Sequence, residues 1–224
     1  MAEVSIRPAG EADLDELVRI QFAAIGSFGP ETLVSGVENP ANISIMSKRH
    51  AEHVRANPGL FIAAAHLPAG PVAGFCMFYF PDRGAASDIE KVPTPVRPFN
   101  DDPEWARISV QASWIEDPGR RRKAEVVLRF IHDEKQRHAR GKECVYLRYM
   151  CVDPAFQRRG VGQALMTWAC ERLDTLKLDA YLEASTAGEG LYRKFGFEVI
   201  GHTKGVFEDG LRMEYSHMWR KHST

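Results

Sequence analysis

Apolar residues at helical spacing follow a short strand at the amino-terminal end of the chain. Two apolar residues alternate with polar ones before Pro8, which cannot donate to a strand ladder. Leucine, valine, phenylalanine and isoleucine then recur every three or four residues over 14–25, which predicts an amphipathic helix ending within 26–30. A second helix is predicted over about 43–55, between two Asn-Pro steps. The pattern therefore predicts a strand and two helices.

Two apolar runs, Phe61–His66 and Val72–Phe80, flank a Leu-Pro-Ala-Gly-Pro turn and predict a β-hairpin. The segment 81–118 then carries six prolines, which cannot all lie in regular ladders. We expect a long surface excursion here, and long ordered excursions are often functional. Trp105 and Trp114 are expected to fix this excursion to the body of the protein.

The remaining pattern alternates helices with strands. A charged helix is predicted over Arg120–Arg140, with Val126 and Val127 on its buried side together with Phe130 and Ile131. Periodicity then predicts, in order, strand 144–152, helix 160–176, strand 180–183, helix 188–195 and strands 197–202 and 211–219. Such an alternation indicates a mixed α/β fold around one sheet.

Composition and charge limit the class of protein. The chain has 224 residues, of which 44% are hydrophobic and 26% charged, so a single domain over 1–224 with a sizeable insertion is expected. Twenty-nine lysines and arginines against thirty acids give a net charge of -1, so no global field favours nucleic acid or an anionic membrane. We expect neither as a partner.

The short apolar runs, the first residues and the cysteines together favour a cytoplasmic protein. The longest apolar run has nine residues and the first residues resemble no signal peptide. The four cysteines form no C-x-x-C pair, so they are expected to be buried, reduced thiols. His50 and His53 share a predicted helix face without evident partners, and surface roles are expected for them. No metal site is predicted.

The chemistry-bearing motif is the stretch Cys151-Val-Asp-Pro-Ala-Phe-Gln157-Arg-Arg-Gly160-Val-Gly162, placed between a strand and a helix. A loop that enters a helix directs unpaired backbone N–H groups at one point, where the helix dipole favours negative charge. The two glycines allow close approach of a ligand, and the two arginines add positive charge. The motif therefore predicts a site for a pyrophosphate.

The sequence Gln157-x-x-Gly160-x-Gly162 resembles the signature of the GNAT superfamily of acetyl-CoA-dependent N-acetyltransferases. The stretches 150–154 and 191–197 resemble further blocks of that family in the same order, so the resemblance covers about 144–202. It implies an α/β fold with a mixed, mostly antiparallel central sheet flanked by helices. The insertion, about 81–140, would lie between strands 3 and 4.

The resemblance implies acetyl-CoA as co-substrate, and a primary amine as acceptor that attacks directly in a ternary complex. No metal is needed by this chemistry. The pantetheine arm would pair with the backbone of the fourth strand, the Met150 N–H would be the oxyanion donor, and the pyrophosphate would lie on the loop amides. The implied coenzyme-binding residues are Met150, Cys151, Val152, Gln157, Arg158, Arg159, Gly160, Val161, Gly162, Gln163, Ser185 and Tyr192.

Tyr192 matches the family tyrosine and is the implied general acid for the departing thiolate. The structural alternative is a core tyrosine with a satisfied hydroxyl. Glu183 is a candidate catalytic base, and so are Tyr146 and a water chain. Glu183 could instead face solvent or pair with Arg193.

Two other classes of protein compete with the transferase interpretation. A dinucleotide-binding oxidoreductase would need glycine at position 165, which is Leu165. A non-catalytic acyl-CoA sensor stays open, because relatives carry Asn and Ala where this chain has Ser185 and Gly188. The acceptor is expected to be a small amine or a lysine side chain, and the chain a monomer or homodimer. We expect residues 81–118, which carry eight acids, to cover the acceptor entrance or to be a solvated loop.

Overall fold

One seven-stranded sheet organises the protein in a computed structural model that describes residues 4–26, 28–56, 60–67, 70–80, 107 and 110–223. Its strands follow the order β1-β2-β3-β4-β5-β7-β6, and only β4 and β5 run parallel. The predicted mixed, mostly antiparallel sheet is confirmed. The strands are β1 Ser5–Pro8, β2 Leu60–His66, β3 Val72–Tyr79, β4 Val145–Val152, β5 Ala180–Ala184, β6 Glu198–Val206 and β7 Arg212–Arg220.

Six α-helices flank the sheet among the described residues. They are α1 Leu14–Ile25, α2 Gly29–Ser35, α3 Pro40–Ala56, α4 Pro118–Ala139, α5 Val161–Thr175 and α6 Thr186–Arg193. Helix α2 was not predicted, because Gly29-Pro30 suggested only the end of α1. Pro30 instead lies in the first turn of α2, where its missing N–H leaves no helical bond unmade.

Two layers of side chains cover the two faces of the sheet. Residues of α5 and α6 pack on one face against alternate residues of β4 such as Val145 and Leu147. Residues of α1 and α3 pack on the other face, which carries Tyr146 and Cys151. This alternation is the period of two expected of a strand that is buried on both faces.

Helix α4 packs beside β7 along a narrower stripe than the sequence predicted. Val127 is buried against Met213 and Tyr215, and Phe130 packs on the same cluster. Val126 is 58% exposed, so its predicted burial is wrong. Adjacent helical residues lie about 100° apart around the axis, so both valines cannot face one narrow stripe.

Most of the predicted excursion 81–118 lies outside the described residues, which include only 107 and 110–118 of it. Trp105 lies outside them too. Trp114 does fix its segment to the body, since its indole Nε1 donates to the Val34 carbonyl at 3.1 Å. Asp117 begins α4 by accepting from the Arg120 amide.

All four cysteines are free and buried, as predicted. None of the described helices is long and apolar enough to cross a lipid bilayer.

Candidate active site

The two parallel strands at the centre of the sheet separate from each other. β4 pairs with β5 only over residues 145–147, but it stays paired with β3 as far as Val152. The β3–β4 register shifts at Arg148, an extra residue that forms a bulge in β4 and bends the strand. Residues 148–152 therefore have no strand neighbour on the β5 side among the described residues. We call this opening between 148–152 and the end of β5 the seam.

Gly74 of β3 sets the position of β4 at the seam. A Cβ at this glycine would lie 2.7 Å from the Cys151 carbonyl oxygen and 3.1 Å from Val161 Cγ1. Glycine is therefore needed for β3, β4 and the start of α5 to approach one another so closely.

The loop after β4 is held by its own polar groups. Asp153 accepts from the Ala155 amide at 2.8 Å, and Gln157 Nε2 donates to the Val152 carbonyl at 3.1 Å. Arg158 and Gly160 have positive φ of 62° and 91°. The left-handed conformation favours glycine, so Gly160 suits the turn into α5. The predicted Gln157 thus shapes the loop with its side chain.

The first turn of α5 presents three backbone N–H groups. Val161, Gly162 and Gln163 precede the first helical bond, which runs from the Ala164 amide to the Gly160 carbonyl at 2.9 Å. Gly160 has no side chain that could accept from them. Three N–H groups and the positive end of the helix dipole therefore converge beside the end of β4, as a phosphate group requires.

Tyr192 lies in the core on the same face as this loop. Its ring is 8% exposed and packs edge-on against Phe197, with the centroids 5.9 Å apart. No hydrogen bond joins its hydroxyl to another described residue, and the oxygen is not fully enclosed by protein. Burial, with the Cys151 and Cys76 thiols, raises the pKa of Tyr192. The phenol is therefore protonated at neutral pH.

Ser185 begins α6 as its N-cap residue, and its hydroxyl accepts from the Gly188 amide at 3.3 Å. A Cβ at Gly188 would lie 3.2 Å from Tyr192 Cε2. Both residues depart from the family pattern. Ser185 determines where the helix of Tyr192 begins, and Gly188 leaves space for the Tyr192 ring.

A cavity of about 180 Å³ lies on the opposite face of the sheet, beside the seam. Helices α2, α3 and α4 and strand β4 line it. Its charged and aromatic lining consists of Phe28, Glu31, Arg49, His132, Lys135, Tyr146, Arg148 and Tyr149. Tyr146 and Tyr149 pack with the face that α1 and α3 cover, whereas Val161 packs with the other face. The loop and the cavity thus approach the seam from opposite sides.

Arg49 and Arg148 bring positive charge to this cavity, and no sequence pattern indicated either role. The Arg49 guanidinium stacks on Trp114, 3.9 Å from the ring centroid. Burial and the neighbouring Arg148 lower the pKa of Arg49 to about 10, so it remains charged at neutral pH. Arg148 Nη1 lies 2.7 Å from His53 Nδ1.

His50 and His53 are buried, so the expected surface roles are wrong. Only 1% and 2% of their surfaces are exposed. His50 Nε2 lies 2.8 Å from the Gln21 side-chain oxygen, and His53 contacts Arg148. The helix period placed both on one face, but only their tertiary partners show that this face is internal.

Glu183 lies at the end of β5, opposite the seam residues of β4. The Tyr181 hydroxyl donates to its Oε1 at 3.0 Å, and Lys135 Nζ lies 4.0 Å from the same oxygen. Arg193 pairs with Glu189 instead, at 2.7 Å, so the alternative Glu183–Arg193 pair is wrong. Glu183 thus places its carboxyl group close to the seam.

Tyr146 fits the role of base less well than Glu183. Burial and the nearby Glu183 charge raise the pKa of Tyr146 well above its ordinary value. A phenol in this environment keeps its proton at neutral pH and cannot accept another from an amine.

A buried polar chain leads from Glu183 across β5 and β7. The Tyr181 hydroxyl lies 2.6 Å from His217 Nδ1, and Thr203 Oγ1 lies 2.8 Å from His217 Nε2. Thr203 Oγ1 also lies 2.6 Å from Glu134 Oε2. Burial and the adjacent His138 lower the pKa of His217 to about 3, so the ring is neutral.

Glu134, His138 and His217 are close enough together to hold a metal ion, with ligand atoms within 4.8 Å of one another. Both His217 nitrogens already contact hydroxyl groups, and its ring stacks on His138 with centroids 3.7 Å apart. Ligand nitrogens must point at a common metal, which stacked rings do not favour. That the chain needs no metal stays a prediction.

Comparison with known proteins agrees with this geometry. Residues 120–199 match the family model of the acetyltransferase (GNAT) domain. The chain is 35% identical over 54 residues to "Probable acyltransferase SID5" of Ajellomyces capsulatus. That match spans 24% of this chain and 40% of the relative, so less than half of the relative is covered.

Solved structures resemble the whole chain. Arylalkylamine N-acetyltransferase 2 from Aedes aegypti covers 99% of this chain, and the match spans all of that protein, with a TM-score of 0.66 and 12% identity. The PaiA N-acetyltransferase from Thermoplasma acidophilum, solved in complex with coenzyme A, has a TM-score of 0.50 and 11% identity. That match covers 98% of this chain and 99% of the other.

The fold is that of the GNAT N-acetyltransferases. Within it, residues 120–199 are similar to the GNAT acetyltransferase domain.

Proposed function

We propose that the protein is an acyltransferase that moves the acetyl group of acetyl-CoA to a primary amine by direct attack in a ternary complex. The observation that carries this proposal is the continuity of three features along one stretch of chain. Strand β4 borders the seam, its end leads into the loop, and the loop presents the first amides of α5. A diphosphate on these amides would therefore direct an attached thioester arm along β4.

The coenzyme would extend from the loop to the seam. Its pyrophosphate would accept from the amides of 158–163, and its pantetheine arm would lie along Met150, Cys151 and Val152. A ligand strand satisfies the backbone groups that β5 leaves unpaired in this stretch. The fit rests on two features of the chain, the three helix-end N–H groups and the open edge of β4.

The acceptor would enter through the cavity on the other face. Its neutral amine attacks the thioester carbonyl, a C–N bond forms and the C–S bond breaks. The backbone N–H of Met150 stabilises the developing oxyanion, and the Tyr192 hydroxyl gives a proton to the leaving sulfur. Glu183 takes the proton that the amine loses, directly or through water.

Incubation of the purified protein with acetyl-CoA and a panel of amines, with detection of free thiol, tests the proposal. We expect release of coenzyme A that depends on the amine, together with the acetylated amine in a mass spectrum. A non-catalytic acyl-CoA sensor would bind the coenzyme and release no thiol with any amine. That outcome would contradict the transferase proposal.

A further inference from the structure

The cavity beside the seam has a cationic lining. Arg49 from α3, Lys135 from α4 and Arg148 from β4 all border it. Among the described residues, Glu31 is its one lining carboxylate. Glu31 already accepts hydrogen bonds from Gln21 at 2.9 Å and from Ser35 at 2.6 Å. The described wall therefore carries more positive than negative charge.

Arg49 has the features of a built anion site. The residue is 6% exposed, and its Nε has no hydrogen-bond partner among the described residues. Its guanidinium is fixed from one side by the Trp114 ring at 3.9 Å. A buried N–H without an acceptor is costly, and an anion in the cavity would supply the acceptor. A planar guanidinium suits a carboxylate in particular, because the two can form parallel hydrogen bonds.

We infer that this cavity binds a carboxylate, and that the acceptor is an amine that carries one, as a free amino acid does. The inference rests on the proposed acetyl transfer for its catalytic part. Arg148 lies in the seam stretch of β4, so a carboxylate held between Arg49 and Arg148 places a nearby amine close to the seam.

The same charges act on the amine itself. Nearby cations disfavour a further positive charge, so they lower the pKa of a bound ammonium group and favour the neutral form that attacks. An amine without a carboxylate gains no ion pair to offset this repulsion. The cavity therefore selects for acceptors with an anionic group.

Matched acceptors test the inference by activity. Free amino acids would be compared with their carboxamides, which lack the carboxylate and have a less basic amine, so kcat/KM would be expressed per concentration of neutral amine. We expect kcat/KM to be at least about ten-fold higher for the acids, the size expected of a charged hydrogen bond. Equal or better use of the carboxamides would overturn the inference and leave the proposed acetyl transfer intact.

Direct binding tests the site without turnover. Calorimetry would compare N-acetylalanine with N-acetylalanine amide in the presence of coenzyme A. The acid should bind at least about ten-fold more tightly, and Arg49→Met should abolish the difference. Lys48→Met, at the exposed preceding position of α3, is the matched control and should retain it.

Thermal melting would confirm that both variants are folded. If wild type binds the two compounds equally, or if folded Arg49→Met keeps the preference, the carboxylate site is refuted. A protein that binds the acid but acetylates nothing would refute the proposed function and support the site.

Discussion

Gly74 of β3 lies so close to Cys151 of β4 that any side chain at position 74 would collide with the backbone there. A Cβ at this position would be 2.7 Å from the Cys151 carbonyl oxygen and 3.1 Å from Cγ1 of Val161 in α5. One glycine thus allows three elements to meet at the start of the loop. The geometry of the candidate pyrophosphate site depends on this contact.

Gly74→Ala should destabilise the protein by about 1–3 kcal/mol, the usual cost of forcing extra volume into a packed core. The obstructing atom belongs to the backbone, so no side-chain rotation relieves it. Urea denaturation measures the change. Gly10→Ala is the control, because a Cβ there meets nothing within 4 Å. Equal stabilities of the two variants would contradict the account of the close contact.

Tyr192→Phe should reduce kcat by about 100-fold or more, since a positioned general acid contributes on that order. The affinity for coenzyme A should change little. Folding stability should also change little, because the hydroxyl has no protein partner among the described residues. Thiol release, calorimetry and melting measure the three quantities. Unchanged kcat would remove the acid role.

The Asp174–Arg220 pair should stabilise the fold at neutral pH. Arg220 donates two hydrogen bonds to Asp174, at 2.8 and 2.7 Å, and this interaction lowers the pKa of Asp174. The contribution is present above about pH 4 and is lost as the pH falls through the lowered pKa. Asp174→Asn should therefore lower the free energy of unfolding by about 2 kcal/mol at neutral pH, and less in acid.

The exposed Lys204–Glu214 pair provides the control for Asp174. The Lys204 and Glu214 side chains are 72% and 60% exposed, and Lys204 Nζ lies 2.9 Å from Glu214 Oε1. Glu214→Gln should change the free energy of unfolding by less than about 1 kcal/mol, because surface pairs are screened by solvent. If Asp174→Asn and Glu214→Gln lower the free energy of unfolding equally at neutral pH, burial of Arg220 does not strengthen the Asp174–Arg220 pair, which would contradict the prediction.

Three buried histidines should make the protein sensitive to mild acid. Burial lowers the pKa of His50, His53 and His217, the last to about 3. The unfolded chain binds protons near pH 6.5 whereas the folded chain does not, so stability falls as the pH drops below that value.

His217→Gln should flatten this dependence. Each histidine contributes up to about 1.4 kcal/mol per pH unit below its ordinary pKa, so the variant should lose about that much slope. Denaturation at several pH values between neutral and about pH 5 measures it. If the free energy of unfolding depends on pH equally in the variant and the wild type, His217 binds protons equally in the folded and unfolded chains, which would contradict this prediction.

The half of the fold that contains β4, the loop and α5 was predictable because local signals agree there. The strand before Asp153 is apolar and ends at a proline, and the helix after Gly160 has a clear period. Both signals depend on neighbouring residues alone. The seam itself was implied only by the family resemblance, since the bulge at Arg148 arises from pairing with β3, which is distant in sequence.

The cavity was not predictable from the sequence. Arg49 belongs to a helical segment that carries lysine and histidine as well, and charge on a helix is ordinarily solvated. Its burial depends on Trp114 and Tyr149, which come from distant segments. Helix α2 was missed for a related reason, because seven residues are too few to display a helical period.

The amide resonances of Val161, Gly162 and Gln163 test the central claim most directly. In ¹⁵N-labelled protein titrated with coenzyme A, these three signals should shift, and pantetheine without the pyrophosphate should leave them in place. Saturable coenzyme A binding that leaves all three unmoved, or no binding at all, would contradict the account.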